Sequence, residues 1–265
     1  MRCSRMACGS SAAFITLAAL ALVFSPSAFA QPGPPGGEDA PTRILFEDLN
    51  QARSEAGLAP LGWDANLAVA AQRHAELMAS SGALEHQLPG ESGLAQRCAA
   101  ADAHFSSIAE NIASGGALHS IHASWMQSHA HHDNILSPDF TVVGIGVARR
   151  GGTIYAVEDF AMAVANETAE SVERRVRDML AIRQIAPTGD ADAARQVCAA
   201  GQGDYQGPPP TPGMIIRFTS PGLDKLGPIL DQRVPGGRFH KASVGACPDT
   251  NSQGFTRYKV ALLLY

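Results

Sequence analysis

Thr141-Val142-Val143-Gly144-Ile145-Gly146-Val147-Ala148, Arg149-Arg150-Gly151-Gly152 and Thr153-Ile154-Tyr155-Ala156-Val157-Glu158-Asp159-Phe160 form the continuous stretch on which the fold turns. Its two flanks are strand-length runs rich in β-branched and apolar residues. The Arg-Arg-Gly-Gly between them suits a tight hairpin turn, which makes the two strands antiparallel. Upstream, the periodic segments have helical spacing instead. From Thr42, Leu45, Leu49 and Ala52 recur on one face until Gly57. Asp64 is placed to cap a second helix carrying Leu67, Ala70, Ala71, His74, Ala75 and Met78, which stops at Gly82. A short helix is expected around Leu94 to Ala99, inside a loop from Gly90 to Phe105. Leu118, Ile121, Trp125 and Met126 form one stripe, so 117–132 is expected to be a third long helix. Helices followed by an antiparallel sheet indicate an α+β architecture rather than alternating βαβ units.

Downstream of the hairpin the pattern repeats in outline. Asn166 or Thr168 caps a helix with Val172, Val176, Met179 and Leu180 on its apolar face. A short helix from Asp190 to Ala200 follows, ended by Gly201. The proline-rich run 207–213 is a stiff spacer. Met214 to Phe218, Phe239 to Ala246 and Phe255 to Leu264 read as strands, so residues 165–265 form a smaller α+β region with its own antiparallel sheet.

The chain opens with Arg2 and Arg5, a short apolar stretch from Ala12 to Phe24, and Ser27-Ala28-Phe29-Ala30, a small-x-small ending of the kind signal peptidase reads. Export and cleavage before Gln31 are expected, with a retained N-terminal anchor as the alternative. The apolar stretch is short for a membrane span, and no later segment approaches ~20 continuous apolar residues. Residues 31–41, rich in Pro and Gly, read as a flexible lead-in. The formal charge of −5 becomes −7 without Arg2 and Arg5. With no cluster of basic residues, nothing in this balance attracts nucleic acid.

Three cysteines follow the leader: Cys98, Cys198 and Cys247. In an oxidising compartment one intrachain pair can form. Cys198 with Cys247 is favoured because both fall in the C-terminal region, where closure would restrict the unfolded chain by roughly 4 kcal/mol. Spacing alone does not choose among the three pairings.

Three short pieces carry candidate chemistry: Leu84-Glu85-His86, Ala109-Glu110-Asn111-Ile112-Ala113, and Trp125-x-x-Ser128-x-x-His131-x-x-Asn134-Ile135-Leu136. Two imidazoles and a carboxylate can hold a divalent metal such as zinc, or move a proton. Each has a plainer reading by itself. His86 can be a favourable charge at a helix C-terminus, and Glu110 can cap a turn through backbone N–H groups. His131 lies in a histidine-dense run with His119, His122, His129 and His132, where surface polarity explains most members. On a continuous helix, Trp125, Ser128, His132 and Leu136 share one side and His131 stands at its rim. No His-Glu-x-x-His, nucleotide-binding glycine loop, Cys-x-x-Cys pair or nucleophile elbow occurs.

Taken together these residues resemble the CAP superfamily, which includes cysteine-rich secretory proteins, antigen 5 and pathogenesis-related proteins. Asn50-x-x-Arg53-x-x-x-Gly57-Leu58-x-Pro60-Leu61-x-Trp63-Asp64 is similar to its opening, and His74-Ala75-x-x-Met78-Ala79-x-x-Gly82-x-Leu84-x-His86 continues it. Ala109-Glu110-Asn111-Ile112 is similar to the family's Gly-Glu-Asn-Ile element, with Ala109 in place of the glycine. The tryptophan-to-leucine run resembles the bacterial form. Coverage runs from 42 to 164.

The resemblance implies an α-β-α sandwich with a cleft lined by two histidines and acidic residues. By matching position these are His86, His131 and Glu110. A second acid found in many relatives three residues after the tryptophan falls here on Ser128. The disulfide-rich pattern of many animal members is absent, so no ion-channel module is implied.

Residues 165–265 lie outside the resemblance. Val143-Gly144 leads to Tyr155-x-Val157, and Val244-Gly245 leads to Tyr258-x-Val260. The region therefore reads as a decayed half-copy of the first domain, as a sheet built to pack on it, or as a coincidence of two valine-rich hairpins. Unrelated strand orders would end the first idea. In a copy, Gln232 would stand where His131 does, leaving no histidine.

Three functions are open at this stage. One is an exported module whose cleft of His86, Glu110, Ser128 and His131 binds a metal, or a small-molecule, lipid or cell-wall ligand. Another is a hydrolase with metal on His86 and His131 and Glu110 as general base. The third is a structural envelope protein with a vestigial cleft.

Overall fold

The computed structural model describes residues 33–34, 40–188, 191–222, 225–234, 236–249 and 253–265. The expected leader at 1–30, most of the lead-in at 31–41 and the expected helix start at Asp190 lie outside them. The first half contains α1 (Pro41–Glu55), β1 (Gly62–Trp63), α2 (Ala65–Ser81), α3 (Leu94–Ala100), β2 (Phe105–Gly115), α4 (Leu118–Gln127), α5 (His129–Ile135), β3 (Val142–Arg150) and β4 (Thr153–Ala163). Asp64 caps α2, accepting from the Asn66 and Leu67 N–H groups, and Gly82 ends it in the left-handed region.

Two expectations are corrected here. Residues 105–115, with Glu110 at a supposed turn, are an eleven-residue strand. Alternation does not reveal this strand because helices cover both of its faces, so apolar side chains are needed on each. The single helix expected over 117–132 is two helices broken at Ser128, whose backbone is extended (φ −96°, ψ 120°). Serine gives little to a helix interior and suits the start of a new one. The break redirects α5, and the continuous stripe from Trp125 to Leu136 does not form.

The sheet order is β1-β3-β4-β2, with β1 parallel to β3 and the other pairs antiparallel. On one face lie α1, α4 and α5, packed through Leu45, Leu49, Ile121, Trp125 and Ile135 onto Ile145 and Phe160. On the other lie α2 and α3, packed through Ala71, Met78, Leu67 and Cys98 onto Val157, Phe105 and Ala161. This is an α-β-α sandwich with β2 at one edge.

The second half contains α6 (Ala169–Ile182), β5 (Ala186–Pro187), α7 (Ala191–Ala200), β6 (Met214–Ser220), α8 (Leu226–Arg233), β7 (Lys241–Pro248) and β8 (Tyr258–Leu264). Thr168 is the cap of α6, accepting from the Ser171 N–H. Its sheet order, β5-β7-β8-β6, repeats that of the first half strand for strand, including the short parallel pair at the start. Val172, Val176 and Leu180 of α6, with Leu226 and Leu230 of α8, cover one face, and Ala194, Val197 and Cys198 of α7 cover the other.

Details coincide as well as topology. Leu58 N–H donates to the Arg53 carbonyl beyond α1 (2.9 Å), and Ile185 N–H to the Leu180 carbonyl beyond α6 (3.0 Å). The preceding residues, Gly57 and Gln184, both sit in the left-handed region at φ 74° and 62°. A Cβ added to Gly144 would strike the backbone of Leu67 and Ala68 on α2; one added to Gly245 would strike Ala194 and Arg195 on α7. The same sequence offset that relates Gly57 to Gln184 relates Ala68 to Arg195.

In both halves the hairpin glycine therefore lets a helix lie directly on the sheet. Gly144→Ala and Gly245→Ala are each expected to lower stability by about 1–3 kcal/mol, read as a reduced urea midpoint. Cys198 on α7 and Cys247 on β7 are joined by a disulfide that fixes this second helix to its sheet, while Cys98 is a buried free thiol.

Candidate functional site

Glu110 and Asp159 are directly opposed on β2 and β4, so their side chains share the face covered by α2 and α3. Asn111 and Glu158, one residue along on each strand, share the opposite face with Ile145, under α4 and α5. All four are buried. Such a row of polar groups in the middle of a sandwich is tolerated only where partners are supplied.

On the first face the partners converge on Glu110, whose side chain is 2% exposed. Arg97 of α3 bonds one carboxylate oxygen through its Nη2 and holds the His86 carbonyl through Nη1 (3.1 Å). The His86 Nδ1–H donates to the other oxygen (2.7 Å). His74, fully buried on α2, donates Nδ1–H to Glu91 (2.8 Å), leaving its Nε2 3.8 Å from Glu110. The second Glu91 oxygen takes the Leu88 N–H (3.1 Å), tying the loop that carries His86 to the same group. Burial and the Arg97 charge hold the His74 and His86 imidazoles below their ordinary pKa, so both are neutral near pH 7. Cys98 donates to Asp159 (3.5 Å), and burial pushes its thiol well above the usual range.

On the second face Asn111 is the organiser. Its amide donates to the His131 carbonyl and to Glu158, each at 3.2 Å, and its own oxygen accepts from Asn134 (3.0 Å). Asn134 also reaches the Glu110 carbonyl at 3.5 Å. Trp125 locks α4 to the strand through Nε1–H to the Ile112 carbonyl (3.1 Å). Burial holds the His131 imidazole below its ordinary pKa. The two histidines thus arrive from opposite layers, His86 bonded to Glu110 on one face of the edge strand and the His131 backbone bonded to Asn111 on the other.

Of the expected site residues, His86 and Glu110 are in direct contact and His131 is their neighbour. Ser128 serves as the start of α5, its carbonyl accepting from the His132 N–H (2.8 Å), without a side-chain cap bond. Arg97, His74, Glu91, Asn111 and Glu158 are parts of this network that sequence reasoning missed. The signal for Arg97 was available: a basic residue in the last turn of a short helix, where a buried glutamate elsewhere demands a cation.

In the second half the same strand positions are chemically reversed. Gly144 faces Asp159, and Gly245 faces Ala261. Following the register, Glu110 corresponds to Arg217, Asn111 to Phe218 and Glu158 to Val260. Arg217 is satisfied locally by the carbonyls of Val197 (3.2 Å) and Gly203 (2.9 Å).

Residues 46–164 match the profile of the cysteine-rich secretory protein family, CAP. A protein of Bacillus subtilis (strain 168), the uncharacterized protein YkwD, is 29% identical over 118 residues, covering 44% of this chain and 46% of that one. The chain therefore spans about half the length of that curated relative. An outer surface protein from Borrelia burgdorferi is 21% identical with a TM-score of 0.45, over 50% of this chain and 99% of that chain. An extracellular protein containing an SCP domain from Bacillus anthracis str. Ames is 25% identical with a TM-score of 0.42, over 49% and 45% of the two chains. The stretch 46–164 belongs to the CAP superfamily, a family of extracellular type. The family match ends at 164, before α6 begins.

Proposed function

We propose that the chain is an exported binding protein whose cleft offers the Nε2 atom of His86 and the imidazole of His131 to a divalent metal or a small polar ligand. The observation that carries this reading is the double engagement of Glu110. One oxygen is held by Arg97 and the other by His86 Nδ1–H. A histidine whose Nδ1 proton is given to a carboxylate keeps its Nε2 lone pair outward, the arrangement used for metal ligation. His86 is 60% exposed at its side chain and so can meet a ligand from solvent.

The same engagement weighs against a hydrolase, which needs Glu110 free to take a proton from water. As for the metal, no three His, Cys, Asp or Glu groups among the described residues converge as ligands. The donor set suits an ion held by two imidazoles with solvent or ligand completing its shell. It falls short of the roughly 10–16 kcal/mol of closed structural zinc sites. A bound ion would polarise a ligand oxygen; the chain's own part is to orient the His86 ring through Glu110, to hold the backbone of His131 through Asn111, and to keep both imidazoles neutral. The apolar leader and the Cys198–Cys247 bond fit an oxidising destination. No helix among the described residues is long and apolar enough to cross a membrane.

The test is calorimetric titration with Zn²⁺ at pH 7. Wild type is expected to bind one ion per chain, and His86→Ala and His131→Ala are each expected to weaken it at least about tenfold. Equal uptake by all three proteins would leave the cleft without this role.

A further inference from the structure

The second sandwich keeps the plan of the first but not its buried row of Glu110, Asn111, Glu158 and Asp159, and one of its loops reaches into the first. We infer that residues 165–265 are a site-less copy of the same unit that acts as a brace for the cleft, holding α3 and through it the Arg97–Glu110–His86 chain.

The contact is the β7–β8 loop, described from Gln253 onward. Thr256 N–H donates to the Phe105 carbonyl (2.8 Å), and Phe105 N–H donates to the Thr256 hydroxyl (3.2 Å), so the loop is stitched to the start of β2. Phe255 meets Phe105 edge-on at 5.5 Å and packs against the buried cluster of Phe105 and Cys98, on which Leu94 and Ala95 of α3 also pack. Gly254, at φ 99°, lies so close that an added Cβ would strike the Ala95 carbonyl.

The loop therefore seats the first turn of α3, and Arg97 is in the next turn. Arg97 is the positioning residue: it clamps Glu110 and the His86 carbonyl together. A helix of seven residues has little stability of its own, so its placement depends on what covers it. Glycine is the residue that permits that approach at 254. The inversion of Glu110 to Arg217 in the second half explains why this copy braces rather than binds.

The inference rests on His86 being the cleft's ligand-facing group, but its test needs no ligand. The readout is the His86 ring Nδ1–H proton, which a carboxylate hydrogen bond protects from exchange with water. His119, bonded to Asp48 at 2.7 Å away from α3, is the internal control. In full-length Gly254→Val, exchange of the His86 ring proton and of the α3 amides is expected to quicken at least about tenfold, the His119 proton staying unchanged. Phe255→Leu, a milder change, is expected to act in the same direction and carries the test if Gly254→Val does not fold. A folded variant of either kind with wild-type exchange at His86 overturns the brace. Failure of the wild type to bind zinc would overturn the proposed function and leave the brace standing.

Discussion

Replacing Arg97 with methionine is expected to destabilise the protein by about 3–5 kcal/mol, the cost of stranding a buried charge. Arg97 is 9% exposed and, among the described residues, is the one arginine or lysine bonded to the buried Glu110. Without it, Glu110 keeps only the hydrogen bond from His86, buried beside neutral His74 and the carboxyl of Asp159. Lysine is not an adequate substitute. The guanidinium serves Glu110 with one nitrogen and the His86 carbonyl with another, a fork that an ammonium cannot reproduce.

The double variant Arg97→Met/Glu110→Gln separates charge stranding from lost packing. With the carboxylate gone, most of the destabilisation should be recovered, giving a coupling energy of about 2–3 kcal/mol in a urea-unfolding cycle. Additive losses would mean that Arg97 matters through its aliphatic packing instead. His86 should still lose its orientation in the double variant, so stability and ring-proton protection part company.

How much of this was legible in the sequence differs by element. Helices α1, α2 and α6 are written in their apolar spacing and caps, because each shows one face to solvent and one to a sheet. The β3–β4 hairpin is equally plain, since its turn chemistry stands between two apolar runs. Strand β2 was not, because burial on both faces removes the alternation by which half-buried strands are recognised. Helix α8 was missed because Gly227 and Pro228 look like a turn, although proline is accepted in the first turn of a helix. Strands β1 and β5 are two residues each and owe their form to their neighbours.

Within the site, resemblance supplied His86, Glu110 and His131. It did not supply the residues that hold them, because Arg97, His74 and Asn111 are polar groups whose partners are distant in sequence. Only the fold brings Arg97 to Glu110 or Asn111 to Glu158. The correspondence between the two halves lay deeper still. The match of one valine-glycine pair to another is weak by itself; the shared strand order, the paired left-handed turns and the two glycines under helices make it a structural fact.

Glu158→Gln is expected to stabilise the protein at pH 8 by about 2–4 kcal/mol while changing little at pH 4. Glu158 is fully buried on the central strand β4. Its one hydrogen bond is from Asn111, and its second oxygen has no hydrogen-bond partner among the described residues. Burial therefore pushes its carboxyl up to about 8 from 4.5, with the charge of Asp48 adding to the rise and the Asn111 bond opposing it. Asp159 is raised to about 7 by burial on the other face, against the pull of Arg97 and Cys98.

The sign follows from proton binding. Between pH 4.5 and 8 the folded state holds a proton at Glu158 that the unfolded chain has released. Stability should fall as pH rises through that window and level off above it. Glutamine keeps an oxygen for Asn111 and cannot ionise, so it removes this slope, while the Asp159 carboxyl on the other face still contributes between about 4 and 7. Leucine also removes the charge but leaves the Asn111 amide with the His131 carbonyl alone, and should loosen the placement of Asn111 against α5. Urea midpoints at pH 4, 6 and 8 decide the matter: a Glu158→Gln protein no more stable than wild type at pH 8 would mean that the acid is ionised and partnered in the fold. A gain there would mean that this carboxyl is kept to place Asn111, and through it His131, at the expense of stability in alkaline conditions.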